Sequence, residues 1–153
     1  MPSKLRNSVG DYVRADALSE AVLVKEGATI ATAAGANSVY VTAPVTGKLT
    51  GVEFASLAGL AASDSNYITF SVVNLGQAGA GAVAMLAVSN ANTTKVTGGS
   101  AITANARKQL TLHGTAANLA VAKGDRLQVI ATVTGTLAGT VTIPVYALTF
   151  QRS

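Results

Sequence analysis

The sequence predicts an all-β chain folded as a single β-sandwich, and three observations carry that expectation. From about residue 38 onward, short runs rich in β-branched residues are separated by clusters of Gly, Asn, Asp and Ser. Within the runs, apolar and polar residues alternate with period two: Ile68, Phe70 and Val72 oppose Tyr67, Thr69, Ser71 and Val73, while Leu127, Val129, Ala131 and Val133 oppose Arg126, Gln128, Ile130 and Thr132. No segment of helical length carries the i, i+3, i+4 apolar pattern.

Taken in order, strands are predicted at residues 38–43, 47–55, 67–75, 83–88, 108–113, 126–134 and 140–150, with a further strand at 21–25. In the 126–134 strand the odd positions are expected to face the core. Breaks fall at residues 62–66, 76–81, 90–100 and 135–139, where small and Asx residues supply left-handed backbone or local caps. The stretch 90–106 is the longest predicted loop. Pro144 falls inside the last predicted strand, and because proline cannot donate to a ladder it marks that strand as an edge or as bulged.

Residues 1–36 read differently, with mixed charge followed by a weakly patterned Ala- and Thr-rich stretch. They are predicted to form an extended N-terminal arm that gains order on a neighbouring surface, leaving 37–153 as the sandwich domain. The competing reading is a frayed terminus that contributes one added strand.

The 153 residues suffice for one core. Apolar residues make up 49% of the chain but aromatics only 5%, so the core is light and built from Ala, Val and Leu. Charged residues are 12%, about half the ~25% usual in soluble proteins, which points to a surface that faces other protein. The net charge of +4 is spread out, and Arg107-Lys108 has no aromatic neighbours on which bases could stack, which argues against nucleic acid. No cysteine is present, so no disulfide contributes. The basic N-terminus is not followed by the apolar stretch of a secretory signal, and no apolar run of bilayer-spanning length occurs, so no membrane partner is expected.

The inventory for chemistry is thin: one His, no Cys and seven scattered carboxylates. No catalytic residue, metal site or cofactor is expected. His113 reads as an exposed or turn-capping residue, and a Glu53–Asp64 pairing in the manner of a glycosidase has nothing in the spacing to recommend it. Gly47-Lys48 lacks the upstream glycine of a phosphate loop and reads as a hairpin turn, while Gly76, Gly79 and Gly81 have the wrong spacing for dinucleotide binding. Asn92-Thr93-Thr94 fits a glycosylation acceptor but reads as a polar loop. Lys123-Gly124-Asp125 sits between alternating segments at 119–121 and 127–129, so it reads as a tight corner in which Gly124 takes positive φ and Asp125 caps the turn.

That corner, together with Asp64-Ser65-Asn66-Tyr67-Ile68-Thr69-Phe70 and the closing run Ala147-Leu148-Thr149-Phe150, resembles the capsid decoration, or cement, proteins of tailed bacteriophages, over residues 46–150. The resemblance implies a jelly roll, a homotrimer seated on the outer capsid surface, and a role in clamping neighbouring major capsid protein subunits. On that reading the arm makes the shell contacts, with Leu5, Tyr12, Val13 and Leu18 as apolar anchors and Arg6 and Arg14 as charge partners. The alternative is a carbohydrate- or receptor-binding module of a head fibre or tail. Sugar platforms need exposed aromatics; this chain has no Trp, and Tyr12, Tyr40, Tyr67 and Tyr146 lie mostly in predicted strands or the arm.

Overall fold

The computed structural model describes residues 19–153, together with the backbone of residues 5–6 and 12–13. Eleven strands run in the order β1 (Leu5–Arg6), β2 (Tyr12–Val13), β3 (Glu20–Glu26), β4 (Gly35–Thr42), β5 (Gly47–Ala55), β6 (Tyr67–Asn74), β7 (Val83–Ala84), β8 (Lys108–Gln109), β9 (Ala120–Val121), β10 (Arg126–Thr134) and β11 (Val145–Arg152). One sheet has the order β4-β10-β6-β7, the other β3-β11-β5-β8 with β9 also on β5, and every pairing is antiparallel. β1 and β2 form a separate pair, Leu5 opposite Val13 and Arg6 opposite Tyr12.

The period-two pattern places one face of each sheet in a shared core, giving a sandwich-like packing. From β10 come Leu127, Val129, Ala131 and Val133, and from β11 Tyr146, Leu148 and Phe150, all buried. The sheets meet through Phe54 of β5 and Phe70 of β6, whose ring centroids lie 4.7 Å apart at a tilt, with Tyr146 5.3 Å from Phe54. Burial pushes the Tyr146 phenol up to about 12. A raised phenol contributes stability that is complete below the ordinary tyrosine value of ~10 and is lost as pH rises through the folded value. An alkaline absorbance titration is therefore expected to show Tyr146 ionising near pH 12, well after an exposed tyrosine, with stability declining between about pH 10 and 12.

β5 carries one irregularity with a clear reason. The pairing to β11 shifts between Thr149 and Phe150, leaving Thr50 as the extra residue, and its hydroxyl donates to the Thr149 carbonyl at 3.2 Å. The bulge lets Leu49 and Val52, three positions apart, both face the core.

Several expectations need correction. The arm does not extend to residue 36: Glu20–Glu26 pairs with β11 along its whole length, Ile30 is fully buried and bridges to Val141, and β4 opens at Gly35. Ala21 and Leu23 supply enough apolar surface to hold β3 on the sheet. At Gly27 the chain crosses between sheets so closely that a Cβ would sit 2.9 Å from Val39 and 3.1 Å from Tyr146. The last strand begins after Pro144, at Val145, and is central, flanked by β3 and β5. The proline precedes the ladder, where its missing N–H costs nothing, and its carbonyl accepts from Gly27 at 2.8 Å.

The strands expected at 83–88 and 108–113 shorten to two residues each. Beyond those pairs the two segments bond to one another, Ala87 N–H to Thr111 O at 3.0 Å and His113 N–H to Met85 O at 2.8 Å, closing that side of the sandwich. Asn92, fully buried, completes the junction: its Nδ2 donates to the Ala87 and Thr111 carbonyls, both at 2.8 Å, and its Oδ1 accepts the Thr111 N–H at 2.6 Å. The neighbouring Thr94 hydroxyl accepts the Ile68 N–H at 2.8 Å. Asn92-Thr93-Thr94 is thus an internal polar staple rather than a solvated loop, and its asparagine amide is occupied. Lys108 pins the far end of the same loop, its amine donating to the Ser100 carbonyl at 3.1 Å and to the Ser100 hydroxyl. Burial pulls that amine below the ordinary lysine value.

The Lys-Gly-Asp corner forms as the residues dictate. Gly124 has φ 94°, and the buried Asp125 accepts at Oδ2 from the Ala122 N–H at 2.9 Å and from Asn74 Nδ2 at 3.0 Å. Ala43 N–H bonds to Asp125 O and Gly124 N–H to Ala43 O, tying the corner to the end of β4.

Candidate docking face

The groups that could do chemistry are dispersed. His113 accepts the Thr115 N–H at Nδ1, 3.0 Å, as a turn cap. Glu53 is paired with Arg107 at 3.2 Å, whereas Asp64 accepts from Thr97 at both oxygens, so the two carboxylates serve separate places. The Thr97 backbone N–H, followed by its hydroxyl, holds the Asp64 carboxyl below the usual range. Among the described residues no group of three His, Asp or Glu side chains is placed to hold a metal.

The outward faces of the two sheets differ in character. Strands β4, β10 and β6 present Ser38, Tyr40, Thr42, Gln128, Thr132, Thr134, Thr69 and Ser71, interrupted by Ile130 and Val73. This face is partly self-satisfied: Gln128 Nε2 donates to Ser38 Oγ at 3.0 Å and to Tyr40 Oη at 3.1 Å. Tyr40 stands opposite Gln128 on β10, whereas Tyr67 stands opposite Thr134, so these two tyrosines occupy opposite ends of the sheet. Tyr67 is capped by Lys95, whose amine lies 4.4 Å from the ring centroid, and Tyr146 is in the core. No shared platform of these three rings exists for a sugar to stack on.

The other outward face carries an apolar strip bordered by charge, with Glu20, Glu26, Lys48 and Glu53 around it. Because Ala21 and Leu23 point to the core, alternation turns Val22 and Val24 outward, where they are 62% and 64% exposed. The pairing register lays Val24 beside Ala147 and Glu53, Val22 beside Thr149 and Gly51, and Val145 beside Ala55. Val22, Val24, Ala55, Val145 and Ala147 border a shallow groove of about 280 Å³, closed on one side by the Glu53–Arg107 pair. At the end of the same sheet stand Leu57 and Ile143, 54% and 46% exposed.

Ile143 is held in the left-handed region at φ 48°, a conformation that costs a β-branched residue roughly 1–3 kcal/mol. The flanking carbonyls are tied down, Thr142 O accepting from Leu57 N–H at 3.1 Å and Pro144 O from Gly27 N–H at 2.8 Å. Three strand ends therefore fix this kink and leave Ile143 half exposed.

Of the arm residues singled out by sequence, Leu5, Arg6, Tyr12 and Val13 have their backbones in the β1–β2 pair, and Arg14 and Leu18 lie outside the described residues. Sequence reasoning missed the Val22, Val24, Leu57 and Ile143 face. The signal available was Ala21-Val22-Leu23-Val24, apolar at consecutive positions where a half-buried strand should alternate.

Fold and face together define an all-β, sandwich-like protein with one polar outward surface and one that carries an apolar strip. Comparison with protein-family models, curated proteins and solved structures finds no match to this chain.

Proposed function

We propose that the chain is a virion structural protein that binds the outer surface of a phage capsid and bridges neighbouring major capsid protein subunits. The observation that carries this reading is the apolar strip on the outward face of β3, β11 and β5, where the exposed Val22 and Val24 stand beside Ala147, Val145 and Ala55 and would gain burial against a partner. The strand orders support it at the level of topology. Labelling β3, β4, β5, β6, β7, β8, β10 and β11 as strands B to I turns the two sheets into B-I-D-G and C-H-E-F, the order of a jelly roll, with β9 as an addition. The low charge content fits a role exercised through surface contact. On this reading the N-terminal residues Leu5, Arg6, Tyr12, Val13, Arg14 and Leu18 also contact the shell. Each contact is modest, and repetition over a symmetric shell supplies the avidity.

The double variant Val22→Asp/Val24→Asp tests the face directly. Both side chains are exposed, so the fold should survive, whereas two carboxylates buried against a shell subunit lack partners. Half-saturation in capsid co-sedimentation is expected to rise more than about tenfold, equivalent to at least ~1.4 kcal/mol. Unchanged binding by a folded variant would remove this face from the account.

A further inference from the structure

The two open edges of the sandwich differ in a way that points to a second copy of this chain. On one side the edges are closed by the bonds between residues 85–87 and 111–113. On the other, β3 and β4 end their sheets, with no further strand beyond them among the described residues. β3 is blunted by charge, carrying Glu20, Lys25 and Glu26 within its seven residues, as natural edge strands usually are. β4 has none of these devices: its eight residues, Gly-Ala-Asn-Ser-Val-Tyr-Val-Thr, contain no charge and no proline, and its ladder to β10 is continuous from Gly35 to Thr42. The uncharged stretch extends from Gly27 through Gly47.

The register shows which backbone groups are left open. Ala43 donates to Asp125 O, so the odd residues Val41, Val39 and Asn37 turn their N–H and C=O toward β10. The even residues Ala36, Ser38, Tyr40 and Thr42 turn theirs to the free edge, and all four are exposed. We propose that β4 is a self-association edge, pairing antiparallel with β4 of a second copy across a two-fold axis to join the two β4-β10-β6-β7 sheets into one.

Self-complementarity selects the occupant. An antiparallel two-fold pairing brings the same strand against itself, and on β4 every such register sets only neutral residues opposite one another. In a register centred on Ser38, Val39 or Tyr40 the pleat matches, so Val39 and Val41 of both copies stay on the core side and Tyr40 of both on the polar face. The same operation centred on β3 would oppose Glu20 with Glu26 of its mate, twice. This two-fold pairing stands in place of the homotrimer that the resemblance implies, and it is independent of shell binding, which uses the outward face of the other sheet.

The test is sedimentation velocity on the full chain over a concentration series, with hydrogen exchange read at single amides. The expected result is a species of twice the 15.3 kDa chain mass, in which the Ser38 and Tyr40 amides exchange at least about tenfold more slowly than in the dilute monomer. Ser38→Pro removes one outward donor while sparing the Asn37 and Val39 bonds to β10, and Ser38→Lys adds the charge that β4 lacks. Both are expected to shift the protein to monomer; if the proline variant does not fold, the lysine variant and the wild-type exchange decide. A chain that stays monomeric, a trimer, or any assembly in which those amides exchange as in the monomer or which both folded variants leave intact, overturns the two-fold pairing.

Discussion

Phe54→Ala is expected to lower stability by about 3–5 kcal/mol. Phe54 is fully buried and is the aromatic through which the sheets touch, contacting Phe70 of the opposite sheet and Tyr146 of its own. With aromatics at only 5% and most of the core built from Val, Leu and Ala, no large flexible neighbour stands ready to fill the space. For a chain of this size each kcal/mol shifts the melting midpoint by roughly 2–4 °C, so a fall of about 6–20 °C should appear in calorimetry. Phe54→Leu should recover most of the loss, because the site needs volume more than a ring.

Asn92→Ala should cost about 2–4 kcal/mol for a different reason. The amide satisfies the Ala87 carbonyl and both backbone groups of Thr111, at a position with no exposed surface. Each unpaired buried group costs ~1–3 kcal/mol, and the sum falls short of additivity because the loop can relax. Loss should also be local, since the Asn92 junction closes the β7 and β8 side of the sandwich. Amide exchange is expected to accelerate across residues 85–94 and 110–113 before the β10 core opens. Asn92→Asp retains the size but exchanges the donating NH₂ for an acceptor facing two carbonyls, and should be no better than alanine.

The contrast between these two residues shows what was legible in the sequence. Phe54 lies in a run, 47–55, legible as a strand by its β-branched and turn residues, and alternation located β6 and β10 nearly to the residue. The Gly124-Asp125 corner was equally legible, because a left-handed glycine and an Asx cap are local requirements. Asn92 is different. Nothing in its flanking residues distinguishes a buried asparagine that replaces ladder bonds from one in a solvated turn, since its partners at Ala87 and Thr111 are set by the fold. The strand expected at 21–25 forms as β3, but its place beside β11, more than a hundred residues away, is set by the fold alone. An N-terminal arm running to residue 36 was the natural reading of weak patterning, but an edge strand needs only one good face, and Ala21 and Leu23 provide it.

The outward face was half legible. Val22 and Val24 are visible as apolar residues out of phase, whereas Leu57 and Ile143 join them only because the Thr142–Leu57 backbone bond brings two loop ends together. The left-handed Ile143 has no sequence signature; a glycine or asparagine would be the usual choice there.

Shell binding is tested most directly by titrating the purified chain onto capsids that lack it and sedimenting the mixture to saturation. The account predicts binding that saturates at a fixed number of copies per capsid, a number that identifies the symmetry position occupied. Failure to co-sediment with intact capsids at any concentration would contradict it.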